Sequence, residues 1–339
     1  MDELSKRLQR PLKIGQKQIP GRLVLAPMTQ LGHVAYRELV SGLGGPGLYF
    51  SEMCNAKKVP CENRYVSPYF KWRDEEREQL VIQIFGADPH TMAAAARRIE
   101  DEGFFGIDLN FGCSVSTICR QNSGAAILKN PDLGRAIVES VRKEVTIPLF
   151  VKYRTGWQDD PAYAVEMARR FEDAGADALT FHPRVAPDRR TRLPKWSYIN
   201  KVKAAVRIPV FGNGNVFAAQ DCLKMLTQTG CDAVSIGRIA IARPWVFAKW
   251  CRRVEPGDDI YLETAAQMAD LLSQHYEPKK ALRRYKKFIL YFAANFQFGL
   301  TLVSSISNVR GLREAADIVS EFLMRRPQVN RQPNLNLLI

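Results

Sequence analysis

Apolar residues in this chain fall into short, dense runs separated by longer stretches in which they recur every three or four positions. These are the patterns of buried strands and of one-sided helices. The first run, Arg22-Leu23-Val24-Leu25-Ala26-Pro27-Met28, reads as a strand stopped by Pro27, which lacks a ladder donor. A helix over 34–43 follows, then strands over Gly47 to Met53 and Gln79 to Gly86, with Gly86 turning the chain, and a helix from Pro89 to Glu102.

From there two themes alternate. In one, a helix ends in Gly, passes a small or acidic residue and enters an apolar strand. Glu102-Gly103 leads into Ile107-Asp108-Leu109-Asn110, Ala174-Gly175-Ala176-Asp177 into Ala178 to His182, and Thr229-Gly230-Cys231-Asp232 into Ala233 to Gly237. Gly suits the left-handed turn that ends a helix. In the other, Pro148 and Pro209 sit at the first positions of the strands running to Lys152 and Asn213, where no ladder bond is lost. Strands centred near 23, 48, 80, 107, 148, 178, 209 and 233, each followed by a helical stretch, add up to a (β/α)8 TIM barrel of the α/β class. An open doubly wound sheet fits less well. There is no GxGxxG turn, and the Gly-rich stretch Gly42 to Gly47 precedes a strand as a plain turn.

The expected organisation is a polar leader over 1–13, the barrel over 14–250, a small all-helical domain over 251–325 and a poorly ordered tail over 326–339. The tail is rich in Pro, Asn and Gln. In the helical part Lys279, Lys280, Arg283, Arg284, Lys286 and Lys287 lie close together with no acid among them. Their helical spacing gives a broad basic face, while Tyr285, Phe288, Phe292 and Phe296 line another.

Composition is that of a globular protein: 339 residues, 46% hydrophobic and 25% charged. No apolar segment backs the N-terminal charges and no run is long enough to span a bilayer, so a cytoplasmic monomer away from membranes is expected. The seven Cys form no CxxC pair and the four His show no ligand spacing, which points away from disulfides and metal. A formal charge of +14 changes the picture more, because such a field draws in polyanions, and nucleic acid is the natural partner.

In a barrel the residues at the strand C-termini converge. Here they are Pro27-Met28-Thr29, Glu52, Gln83, Asn110 with Cys113, Lys152 with Arg154, His182 with Arg184, Asn213-Gly214-Asn215 and Gly237-Arg238. Amides such as Gln83 and Asn213 can satisfy the edges of a heterocycle, and Lys152 brings a positive charge. The last two strands end in Gly-containing turns, where many barrels bind phosphate, and Arg238 stands beside them. A phosphorylated heterocyclic cofactor is indicated, with flavin mononucleotide (FMN) the first choice.

The motifs Ala26-Pro27-Met28, Val81 to Gly86, Asp108-Leu109-Asn110-Phe111-Gly112-Cys113, Ser123 to Ala126, Val151 to Trp157, His182-Pro183-Arg184, Asn213-Gly214, Ile236-Gly237-Arg238 and Arg243-Pro244-Trp245 occur in that order. Together, over about Ile14 to Phe296, they make the chain resemble the tRNA-dihydrouridine synthases, flavoenzymes that reduce uridines in RNA. The resemblance implies that Pro27, Met28, Thr29, Gln83, Lys152, Asn213, Gly214, Asn215, Gly237 and Arg238 bind FMN. His182 would lie by the phosphate or the reacting base, and Cys113 would be the catalytic acid. It implies NADPH or NADH as reductant, and a C-terminal helical domain that helps grip tRNA. Asn110, Arg154 and Arg184 would join the basic residues 279–287 in binding substrate. The chemistry is consistent: once hydride reaches C6 of uracil, C5 needs a proton, and thiols, with an ordinary pKa of about 8.5, are largely protonated at neutral pH.

The sequence also departs from the family. Gly-Cys-Pro becomes Gly112-Cys113-Ser114, the basic residues that usually follow are Ser116-Thr117, the Gly after the barrel His is Pro183, and the loop from Ala186 to Trp196 is unusual. Cys119 is a second candidate thiol. A flavin barrel acting on a small free pyrimidine or enone, and an RNA-binding barrel without catalysis, are the competing readings. A Schiff-base aldolase built on Lys152 ranks last.

Overall fold

The computed structural model describes residues 2–188 and 192–338. Eight parallel strands are present where the apolar runs put them: β1 Leu23–Leu25, β2 Tyr49–Phe50, β3 Leu80–Phe85, β4 Gly106–Phe111, β5 Leu149–Gly156, β6 Ala178–Val185, β7 Val210–Asn213 and β8 Ala233–Ile236. Each pairs with the next, and β8 pairs with β1 through Val24 opposite Ser235, so the ring closes. A two-residue strand, Cys54–Asn55, adds to β3 outside the ring.

The helices after β3, β4 and β5 begin where the local chemistry starts them. Pro89, Pro131 and Pro161 stand at first helical positions, where a missing N–H is harmless. Asp88, Asn130 and Asp160 cap those helices by accepting from Thr91, Leu133 and Ala162 N–H groups. Gly230, at φ 67°, ends the helix Ala219–Thr229 in the left-handed turn.

One end of the barrel is plugged. Residues 12–19 form an antiparallel hairpin whose Ile14 and Ile19 join a buried cluster with Val24, Phe50, Val81, Phe150 and Phe211 from the strands. Lys17 Nζ seals the hairpin by donating to the carbonyls of Phe104 and Phe105, both at 3.2 Å, at the N-terminal rim. Burial of this apolar end leaves the C-terminal ends of the strands as the open face. Within 1–13, read from the sequence as a polar leader, the described residues hold a helix, Asp2–Leu8, with Leu4 and Leu8 buried.

The chain forms two compact units, Met1–Pro27 with Gly47–Ile236 and Met28–Pro46 with Gly237–Ile339. These bounds differ from the expected division at 250, because the segment between β1 and β2 belongs with the C-terminal helices. Its helix, Val34–Gly42, is tied there by Tyr36 Oη donating to the Ala240 carbonyl at 2.6 Å and by Glu38 against His275 at 2.7 Å. The helices Ile260–His275, Pro278–Phe292, Gly299–Ser305 and Leu312–Met324 complete this second unit. The segment after 326, expected to lack order, is held by backbone bonds. Asn330 N–H donates to Asn295 O and Asn334 N–H to Ala294 O, both at 2.7 Å, and Leu338 is buried. Its polar composition hid these main-chain contacts.

Candidate active site

The open face of the first unit collects the ends of β3 to β7. Alternation along β3 and β4 sends Gln83, Asp108 and Asn110 inward, where they form one hydrogen-bonded chain. Gln83 Nε2 donates to Asp108 Oδ2 at 2.7 Å, and Asn110 Nδ2 donates to Gln83 Oε1 at 2.8 Å. Asn110 Oδ1 in turn accepts the backbone N–H of Cys113 at 2.9 Å and of Gly112 at 3.2 Å. The thiol-bearing residue is thus hung from the strand ends by its own main chain.

The carbonyl of Cys113 is held from the other side by Ala125 N–H at 2.8 Å. That contact needs Gly124, whose φ is 63° and where a Cβ would come within 2.5 Å of the Cys113 carbonyl oxygen. Trp157 buttresses the same loop by donating to the Ala125 carbonyl at 2.7 Å, with the Lys129 ammonium 3.9 Å from its ring. Cys119 differs from Cys113. Its Sγ donates to the Cys113 carbonyl at 3.5 Å, and burial, with the neighbouring Cys113 adding to it, pushes its pKa up.

Lys152 lies opposite Asn110 in the β4–β5 register. Its side chain keeps a part-open surface, yet protein packs densely around it. That desolvation, with the Arg154 charge adding to it, holds its pKa below the usual lysine range against the pull of Asp108. Burial likewise pushes the Asp108 carboxyl up, opposed by the Gln83 hydrogen bond and the Lys152 charge. Further round, Gly214 adopts φ 119°, where a Cβ would come within 2.9 Å of the His182 ring, and Trp196 Nε1 caps its carbonyl at 2.9 Å. Asn213 Nδ2 donates to Ser235 O at 2.7 Å, and Asn215 Oδ1 accepts from the buried Arg184 at 3.0 Å. Glu52 is buried too, and Arg154 reaches the Val185 carbonyl.

These residues fit a flavin. Amides with fixed donor and acceptor edges suit a polar heterocycle, and the missing Cβ of Gly214 lets its turn pack directly against the His182 ring. Among the described residues Asp108 Oδ1 and Ser235 Oγ are buried polar atoms without a hydrogen-bond partner. No group of three or more metal-ligating side chains occurs among the described residues.

Residues 24–324 match the family model described as Dihydrouridine synthase (Dus). The chain is also 34% identical over 264 residues to tRNA-dihydrouridine synthase B of Pseudomonas aeruginosa, covering 78% of this chain and 79% of that one. The chain belongs to the dihydrouridine synthase family. Solved structures add the fold. TcOYE with pHBA superposes with a TM-score of 0.53 at 13% identity, over 76% of this chain and 96% of that one. 2-Naphthoyl-CoA reductase in complex with 2-naphthoyl-CoA gives 0.57 at 14% identity over 74% of this chain, which spans only 52% of its length.

In this dihydrouridine synthase, an oxidoreductase by family, the remaining expected residues divide between the units. Pro27 closes the first unit's leading segment, while Met28, Thr29, Gly237 and Arg238 belong to the second unit. There Arg238 Nη1 donates to the Leu338 carbonyl at 2.7 Å. Of the basic helix, Lys279 and Arg283 are exposed, Lys280 lies 3.6 Å from Glu277, and Lys287 lies 5.5 Å from the Tyr291 ring. Lys286 Nζ is engaged by the carbonyls of Ser307 and Val309. Arg284 is only 1% exposed and stacks on Tyr276 at 4.6 Å. Four residues before Phe288, it falls on the apolar face, so it is not part of the solvent-facing basic surface. Arg189, Arg190 and Thr191 of the unusual loop lie outside the described residues.

Sequence reasoning missed two members of the site. Asp108 was passed over because it sits mid-strand, although an acid inside an apolar run is a signal in itself. Trp157 lies beyond the end of β5, and only the fold brings its indole to the loop after β4.

Proposed function

We propose that this dihydrouridine synthase reduces uridine to 5,6-dihydrouridine in tRNA, with FMN as cofactor and NADPH or NADH as reductant. The single observation that carries this reading is the suspension of Cys113 from Gln83 and Asn110 beside Lys152, in a chain of this family. Reduced flavin, when bound, supplies the hydride for C6 of uracil. The protein's own part is to bind, orient and move one proton. Gln83, Lys152, Pro27 and the Asn213–Gly214–Asn215 turn would hold the cofactor, with His182 by its phosphate or the base. The Cys113 Sγ–H delivers the proton to C5 as charge develops there. The two-sided grip on its main chain keeps that thiol in place before substrate arrives.

A uridine in folded RNA must swing out of its stack to reach such a mouth, at a cost of roughly a few kcal/mol that phosphate contacts offset. The net charge of +14 and the exposed Lys279 and Arg283 supply those contacts. Among the described residues no helix is long and apolar enough to cross a membrane.

The test is optical. Purified protein should show flavin absorbance that NADPH bleaches without oxygen, and unmodified tRNA should then restore it. Cys113→Ala should keep the flavin and its bleaching but slow recovery by about a hundredfold or more. Full-speed recovery in that variant would remove Cys113 as the acid. Recovery with free uridine as fast as with tRNA would favour a small-molecule substrate.

A further inference from the structure

The hydrogen-bond chain at the mouth has only one consistent polarity. Backbone N–H groups can only donate, so the Asn110 amide must turn Oδ1 toward Gly112 and Cys113 and Nδ2 toward Gln83. Gln83 therefore faces Asn110 with Oε1, and its Nε2 points the other way. What it meets there is Asp108 Oδ2 at 2.7 Å, on a side chain with no exposed surface. Each link leaves a single choice for the next, and the last requires an acceptor at position 108.

We propose that Asp108 is a positioning residue: its acceptor oxygen fixes which way the Gln83 amide faces and, through Gln83 and Asn110, where the Cys113 backbone and thiol stand. The carboxyl's charge is secondary to this role. Burial favours the protonated acid, yet with a proton on Oδ1 the Oδ2 atom still accepts, so the chain keeps its polarity in either state. An asparagine can accept in the same way. A leucine of similar size cannot. It leaves a buried Gln83 N–H without a partner, and a Gln83 that moves to satisfy it gives up the Asn110 Nδ2 hydrogen bond, because a reversed amide would set donor against donor.

The consequence for turnover rests on Cys113 being the acid, as proposed above, but the placement of Cys113 can be read without it. Wild type, Asp108→Asn and Asp108→Leu would be purified with their flavin and treated with iodoacetamide, and the rate of alkylation at Cys113 followed by peptide mass mapping. In parallel, single-turnover reoxidation of the reduced flavin by tRNA would give a maximal rate and an apparent KM. Asp108→Leu, assayed with saturating FMN, should alkylate Cys113 about threefold faster or more and lose about tenfold in maximal rate, with KM for tRNA close to wild type. Asp108→Asn should restore both rates to within about twofold of wild type.

Equal loss in Asp108→Asn and Asp108→Leu would overturn the proposal, because charge and not acceptor polarity would then matter. A Cys113 alkylation rate unchanged in Asp108→Leu would overturn it as well. Should Asp108→Leu not fold, Asp108→Ala removes the same acceptor and is read identically. If alkylation behaves as expected while even wild type fails to turn over tRNA, the functional reading fails and the positioning role stands.

Discussion

His33 is buried, and its Nδ1 accepts the Tyr36 backbone N–H at 3.2 Å, which the ring can do only without a proton on that nitrogen. Burial above all, then the nearby Arg284, Arg37 and His275, holds its pKa well below the ordinary 6.5. The sign of the effect on stability follows. The unfolded chain takes up a proton at this ring as pH falls through about 6.5, the folded chain does not, and so folding loses free energy on the acid side. The expected slope from this ring alone is at most about 1.4 kcal/mol per pH unit. His33→Asn keeps a capping acceptor and removes the titration. Its melting temperature should therefore fall less than that of wild type between pH 7.5 and 5.5. Parallel curves for the two proteins would refute this account. At this scale the sequence was partly legible: Cys113 stood out by its place after a strand, whereas nothing in a mid-strand acid announces that Asp108 ends a hydrogen-bond chain.

The loop from Cys113 to Gly124 shows what an element adds. Its ends are pinned by Asn110 Oδ1 and Ala125 N–H, and Gly124 allows the second contact by its positive φ and missing Cβ. In Gly124→Ala the new methyl would meet a backbone carbonyl, which cannot swing aside as a side-chain tip can, in a conformation that itself disfavours alanine by about 1 kcal/mol. The loop should shift, with Cys113 in it. Flavin content should stay near wild type while single-turnover reoxidation by tRNA falls by about tenfold or more. An unchanged rate would show that the two-sided grip is not what places the thiol. Strand and helix positions were legible in the sequence, since apolar runs, capping Asp and Asn, and Pro at helix starts all act locally. Trp157 bracing a loop some thirty residues earlier was not, because only the parallel pairing of β4 with β5, across the helix between them, brings the two strand ends together.

Over the whole molecule, the sequence does not separate exposed cations from buried ones. Lys279, Arg283 and Arg284 look equivalent there, but the helix Pro278–Phe292 presents the first two to solvent and buries the third. Lys279→Glu with Arg283→Glu should weaken tRNA binding and flatten its dependence on salt by about two in the log–log slope, with little change in melting temperature. Arg284→Ala should do the reverse, lowering the melting temperature while leaving the salt slope alone. Binding titrations from low to high salt, alongside thermal melts, separate the two. A wild-type salt slope in the double reversal would remove this helix from the RNA surface.

By itself the sequence determined the barrel, the order of its strands, the residues at their C-terminal ends and the family they resemble, because each of these is written in local pattern: period, turn and motif. Tertiary structure alone decided which of those residues touch. It joined Gln83, Asp108 and Asn110 into a chain that holds Cys113, gave the segment between β1 and β2 to the C-terminal helices, anchored the polar tail, and sorted exposed cations from buried ones. The physical reason is common to all four. Hydrogen-bond polarity, burial and the desolvation that shifts Lys152 and Asp108 arise between residues far apart in the chain, and they exist only once folding has brought those residues together.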